Sequence, residues 1–260
     1  QAVIDANALA GADTIVFDAA LFNTPQTISL STGEMAISGP LIIVGPVAQL
    51  TINGNSAGRI FRIDNGDFDS INVTIQNVKF MNGHSIGGNP SGAGGAIYCW
   101  NENLTLTNCV FLSNVSDDSS GAIHFPAPGG TLSVTRCTFD SNDASAAGAA
   151  GAIGLYGSTA LTVVDCTFRN NHARSTGAVG QFAGGSCLIS GSTFVQNSAT
   201  LSAGGALFFN SEFTSNIVRN CTITNNGAFS WGGGIYLASV YTGTCTIQNC
   251  TITGNGATVN

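Results

Sequence analysis

Apolar and polar positions alternate along this chain in short runs: Leu104 and Leu106, Leu132 and Val134, Leu161 and Val163, and then Ile247. Period-two alternation of this length, rich in Thr, Val, Ile and Phe and broken by Gly, Asn, Ser and Asp, predicts short strands with one buried face. Further strand-like runs fall at 14–17, 27–30, 35–38, 41–44, 50–52, 60–63 and 71–75. The one helical candidate is 1–10 (QAVIDANALA), with Val3, Ile4 and Leu9 expected on one face.

The strands belong to a repeat. NVKFMNGH (77–84), NCVFLSNV (108–115), RCTFDSND (136–143), DCTFRNNH (165–172), GSTFVQNS (191–198), NCTITNNG (220–227) and NCTITGNG (249–256) follow one another at steps of 31, 28, 29, 26, 29 and 29 residues. A second phrase alternates with the first: GGAI (94–97), SGAI (120–123), AGAI (150–153), TGAV (176–179), GGAL (204–207) and GGGI (232–235). Such a unit is too long for one hairpin and fits one coil of a parallel β-helix, expected to hold three short strands and three turns. The predicted fold is all-β: a right-handed parallel β-helix of about eight or nine coils, roughly 40 Å long at one strand spacing per coil. A single domain spans 1–260, with a cap and irregular coils in 1–76 and regular repeats in 77–260.

Stacked coils turn sequence positions into columns. Leu106, Val134, Val163, Ile189, Val218 and Ile247 form one inward column, and Phe111, Phe139, Phe168, Phe194, Ile223 and Ile252 another. Each such side chain contributes on the order of 1.5–3 kcal/mol of burial. Asn114, Asn142, Asn171, Asn197, Asn226 and Asn255 form an asparagine ladder, where the amide can bond the amides above and below and the residue tolerates left-handed backbone. The position before the cysteine (Asn77, Asn108, Arg136, Asp165, Gly191, Asn220, Asn249) marks a tight turn. The glycine of the second phrase is expected to allow close backbone packing.

Of the eight cysteines, seven fall into two columns of the same register. Cys109, Cys137, Cys166, Cys221 and Cys250 share a column in which Ser192 takes the remaining place, while Cys187 and Cys245 lie beside Leu104, Leu132 and Leu161. Side chains in one column point the same way and do not converge as a disulfide requires, so buried free thiols are expected, with stacked disulfides as the alternative. No Cys-x-x-Cys or Cys-x-x-His spacing suggests zinc.

Charged residues make up only 8% of the chain and the net charge is −7, which argues against nucleic-acid partners. No run approaches the ~18 apolar residues of a membrane span. With no initiator Met, Gln1 is expected to follow a removed segment or to mark the boundary of a piece.

The Gly-Gly-Ala-Ile/Leu phrase alternating with Phe-x-x-Asn (FLSN 111–114, FDSN 139–142, FRNN 168–171, FVQN 194–197) resembles the repeats of the chlamydial polymorphic membrane proteins and of secreted right-handed β-helix proteins in the pectate-lyase-like superfamily. The likeness covers the whole chain, most strongly 77–260, and the opening QAVIDANALAGADTIVFD is similar to the first segment of many such proteins. It implies a surface or secreted location and structural or adhesive roles, since the best-known relatives are surface proteins, often autotransporter passengers.

Candidate chemistry is sparse. Lyases of this fold use a calcium-binding carboxylate cluster with Arg or Lys as base, and their hydrolase cousins use Asp pairs with Gly-His-Gly; the hydrolase pattern is missing here. Arg59 and Arg62 lie in RIFRI, whereas Arg136 and Arg169 show no surrounding carboxylate cluster. Asp64, Asp67 and Asp69 in DNGDFD are the calcium candidate, against the plainer reading of a polar loop. Asp117 and Asp118 read as a solvated loop. His84, His124 and His172 are scattered and read as surface histidines. Tyr98, Trp100, Trp231 and Tyr236 flank the Gly-Gly strands and could stack on sugars or form packing contacts. An ice-binding face is disfavoured: Thr138, Thr167, Thr193, Thr222 and Thr251 form a column, but its neighbour reads Leu112, Asp140, Arg169, Val195, Thr224 and Thr253. The last coil stops without a polar cap, which suggests either a fragment or head-to-tail stacking. The expected function is therefore a non-enzymatic extracellular or cell-surface protein, structural or adhesive, able to self-associate head to tail into filaments and to bind a surface glycan or a host or neighbouring-cell ligand. No cofactor is expected. A polysaccharide lyase or hydrolase is the alternative.

Overall fold

The computed structural model describes residues 1–88, 90–210, 215–238 and 243–258. They form a right-handed parallel β-solenoid of eight coils, to which Thr244–Gln248, Thr251–Thr253 and Gly256–Ala257 add strands of a ninth. One regular coil shows the plan. Thr131–Thr135 lies in sheet A, Thr138–Asp140 in sheet B, Asp143–Ala144 in sheet D and Ile153–Leu155 in sheet C. A regular coil thus has four strands rather than the expected three. The extra strand is only two residues long, too short to show an alternation in the sequence. Among the described residues sheets A, B, C and D hold 9, 9, 8 and 7 strands, every neighbouring pair parallel. All seven strand-like runs of the first 76 residues become strands, from Asp13–Val16 to Asn72–Gln76.

Two left-handed residues per coil replace loops. Asn77, Asn108, Arg136, Asp165, Gly191, Asn220 and Asn249 have φ of 49–61° and turn the chain from sheet A into sheet B. Five residues on, Asn82, Ser113, Ser141, Asn170, Gln196, Asn225 and Gly254 have φ of 52–64° and turn it into sheet D. A non-glycine residue there costs about 1–2 kcal/mol, and the ladders beneath the turns offset it. The ladder asparagines are not themselves left-handed; the residue before each one is. That residue makes the corner, and the asparagine after it points inward beneath it.

The asparagine ladder is continuous. Oδ1 of Asn142 accepts from the backbone N (3.1 Å) and Nδ2 (2.9 Å) of Asn114, while its Nδ2 donates to the Phe111 carbonyl at 3.1 Å. The pattern repeats through Asn171, Asn197, Asn226 and Asn255. Phe80, Phe111, Phe139, Phe168 and Phe194 stack beside it with centroids 4.6–4.8 Å apart.

The cysteine column does the same work under the first turn. Cys109 N donates to Cys137 Sγ (3.3 Å), Cys137 N to Cys166 Sγ (3.4 Å) and Cys166 N to Ser192 Oγ (3.1 Å). Each thiol in turn donates to the carbonyl two residues earlier, as Ser192 does to Ser190. A hydroxyl serves where a sulfur would, which explains the one serine in the column. All eight cysteines are free thiols. Hydrogen bonds from Cys109 and Cys166, together with burial, push the Cys137 thiol up, and burial pushes Cys187 up.

The second glycine of the Gly-Gly phrase is a steric requirement. A Cβ on Gly121, Gly151, Gly177 or Gly205 would strike the carbonyl oxygen of the equivalent glycine one coil on.

The helix Ala2–Ala8 packs against Asp13–Val16 and Met35–Ile37, pinned by Asn7, whose Nδ2 donates to Ala36 O (2.8 Å) and whose Oδ1 accepts from Ser38 N (2.9 Å). Its buried residue is Ala6, with Val3 against the core; Ile4 and Leu9 are exposed, contrary to the expected face. Among the described residues no helix is long and apolar enough to cross a membrane.

Candidate functional site: an aromatic ladder and the cleft at its end

The second residue of each sheet C strand from Ile97–Cys99 onward faces away from the core. In register these are Tyr98, His124, Gly154, Gly180, Phe208 and Tyr236. At the two glycines a ring from two residues further on folds back over the strand: a Cβ on Gly154 would press against Tyr156, and one on Gly180 would strike the Phe182 ring. The result is one row of rings, Trp100–Tyr98–His124–Tyr156–Phe182–Phe208–Tyr236–Trp231, with successive centroids 4.8–6.4 Å apart. All four aromatics singled out in the sequence are in it. Tyr98 is buried rather than superficial, Trp100 and Tyr236 are half-buried, and Trp231 is exposed.

His124 is not the surface histidine expected from the sequence. It is fully buried, between the rings of Tyr98 and Tyr156, because the coils stack rings on both of its faces. Its Nδ1 lies 3.2 Å from Ser120 Oγ, and Nε2 has no hydrogen-bond partner. Burial, with a smaller push from Arg59, lowers its pKa to about 3. His84 is half-buried and pairs with Asp117 at 2.9 Å, which holds that carboxyl below its usual range; His172 is exposed.

Arg59 and Arg62 cover the Tyr98 ring, with guanidinium carbons 5.0 and 5.7 Å from its centroid. Arg59 is spent on structure: Nη1 bonds Glu34 (2.9 Å), Nε the Gly94 carbonyl (3.2 Å), and Nη2 the carbonyls of Pro90 (2.8 Å) and Ser91 (2.7 Å). Arg62 gives Nε and Nη2 to Asp64 Oδ2 (3.2 and 2.7 Å), a bond that raises its pKa, and its side chain remains 43% exposed.

The acidic loop is built by its own bonds. Asp64 Oδ1 accepts from Gly66 N (3.0 Å), and Asp67 Oδ1 from Asn65 Nδ2 (3.0 Å) and Asp69 N (2.8 Å). Both ends hang from Glu102, which the sequence reading missed. Its buried carboxylate accepts from Asn65 N (3.0 Å) and Ile71 N (2.6 Å), and burial raises its pKa. The only sequence signal was a carboxylate in NEN just ahead of a strand. Among the described residues no group of three or more His, Cys, Asp or Glu side chains is placed to hold a metal ion.

Loop and ladder enclose a cleft of about 360 Å³ lined by Arg62, Asp64, Gly66, Asp67, Phe68, Pro90, Tyr98 and Trp100. Phe68 stands 85% exposed at its rim. Across Arg62 a second cleft of about 280 Å³ is lined by Glu34, Arg59, His84 and Ser85 among others. Arg136 and Arg169 lie elsewhere, bonded to Asn108 (2.9 Å) and Asp140 (2.8 Å).

No curated protein and no solved structure gives a significant match to the chain. Residues 49–99 match the Chlamydia polymorphic membrane protein repeat, a match that begins upstream of the segment 77–260 in which the sequence likeness is strongest and overlaps its start. Residues 95–260, well over half of the chain, match the family model described as the right handed beta helix region. With its parallel sheets and in-register ladders, the chain belongs to the right-handed β-helix family.

Proposed function

We propose that this chain is a non-enzymatic protein of the cell surface or extracellular space with a structural and adhesive role. Its ladders make a rod stiffened along its length, and the cleft at the end of the ring row is its adhesive site. The observation that carries the reading is that cleft, where an almost fully exposed Phe68 stands beside Trp100 and Arg62. Exposed rings with a few directed polar groups are what a binding site requires. The match of residues 49–99 to a repeat named for a polymorphic membrane protein supports the surface location.

Beads coated with the purified chain test the reading. They are expected to adhere to cells or cell-wall material, and Phe68→Ala is expected to reduce adhesion. Beads that do not adhere overturn it. Repetition of near-identical coils also supports head-to-tail self-association, in which a further copy continues the parallel stack. Negative-stain microscopy would show filaments, and dispersed particles of 26.3 kDa would overturn that part. A polysaccharide lyase remains the second reading because Arg62, Asp64 and Asp67 line one cleft. Release of unsaturated sugar products by the purified chain would replace adhesion with catalysis.

A further inference from the structure

The chemistry of the cleft selects among ligands, a selection that rests on the adhesive reading of that site. Phe68 and Trp100 bring ring surface to it. Arg62 spends Nε and Nη2 on Asp64, and Nη1 has no acceptor among the described residues. Asp67 uses Oδ1 twice within the loop, which leaves Oδ2 without a partner among the described residues. Rings beside a directed donor and a carboxylate acceptor fit a pyranose: its C–H face is apolar, and its hydroxyls each donate and accept.

Charge decides which pyranose. Among the described residues Arg62 is the one cation lining the cleft, and Asp64 already neutralises it. Asp67 lines the cleft with no such partner, Glu102 holds the loop from below, and the whole chain carries −7. A uronate, sulfate or phosphate group would enter a field of its own sign. We propose that the cleft binds a neutral hexopyranosyl glycan, stacked on Phe68 and Trp100 and hydrogen-bonded by Arg62 and Asp67, and that it rejects acidic polysaccharides.

The test is calorimetric titration of the full chain with β-glucan and galactomannan, and in parallel with polygalacturonate, alginate and heparin, at low and high salt. A neutral glycan is expected to bind with an affinity that salt leaves unchanged. Phe68→Ala, a change at an exposed position, is expected to weaken binding about tenfold or more without shifting the melting temperature, and Trp231→Ala to leave it unchanged. Salt-sensitive binding of an acidic glycan, neutral binding indifferent to Phe68→Ala, or no binding across the panel each overturn the proposal. The bead assay separates the two readings. Beads that adhere while no glycan binds keep adhesion and overturn this inference; glycan binding by a chain that does not adhere does the reverse.

Discussion

His124 makes the stability of the rod depend on acid in a way that one substitution isolates. The folded protein holds this imidazole neutral, with a pKa of about 3, because it is buried between two rings and its Nε2 has no partner to share a proton with. In the unfolded chain it titrates near its ordinary value of about 6.5. Above that pH neither state is protonated and the residue has no pH-dependent effect. As the pH falls from 6.5 towards 3, the unfolded state binds a proton that the folded state refuses, and stability is lost. The slope is about 1.4 kcal/mol per pH unit, so the loss reaches about 2.7 kcal/mol at pH ~4.5. Carboxylates such as Asp140, held below its usual range by Arg169 and its other hydrogen-bond donors, add their own acid dependence. The informative quantity is therefore the difference from His124→Phe, which keeps a ring in the row and removes the titration. Urea unfolding of both proteins, followed by circular dichroism at neutral pH and near pH ~4.5, should show the wild type losing about 2.7 kcal/mol more than the variant. Parallel losses would refute the reasoning. So would an NMR titration in which the His124 ring titrates near its ordinary value of about 6.5.

The ladders give further outcomes. Asn171→Ala removes four hydrogen bonds at 2.9–3.1 Å and strands the amide groups of Asn142; thermal melts should show a loss of about 3–5 kcal/mol, far more than for the half-buried Asn255. Cys137→Ser should cost less than about 1 kcal/mol because Ser192 already fills the same role, whereas Cys137→Val leaves the buried Cys109 N–H unpaired and should cost about 1–3 kcal/mol. Under native, non-reducing conditions alkylation and mass spectrometry should find no disulfide, with Cys245 and Cys250 reacting first because they are the partly exposed thiols. Gly151→Ala should lose about 2 kcal/mol or more because its Cβ meets the Gly177 backbone, while Gly227→Ala, with open space around it, should stay within about 0.5 kcal/mol of wild type.

The Cys, Phe and Asn columns, which recur at constant spacing within each coil, were legible in the chain before it folded. The two left-handed corners lie five residues apart in each of the seven regular coils, so Cys, Phe and Asn fall into columns that can be read without coordinates. Length differences are absorbed elsewhere, as in the three residues between Ser116 and Ser120 against the five between Ala144 and Ala150, and they leave the columns intact. Packing alone settled the features that break that spacing. The ring row draws on the residue after the Gly-Gly phrase in four coils but on one two positions later at Gly154 and Gly180, and only the folded chain shows Tyr156 and Phe182 swinging back to fill those places. His124 is polar in the sequence and buried in the structure because its neighbours are rings from the adjacent coils, 26 and 32 residues away along the chain. The cleft likewise joins a loop at 64–69 to Pro90, Tyr98 and Trp100, held by a carboxylate at 102 whose partners lie more than 30 residues away. Columns arise from periodicity along one chain; a site that joins non-equivalent positions of different coils arises only from how those coils pack.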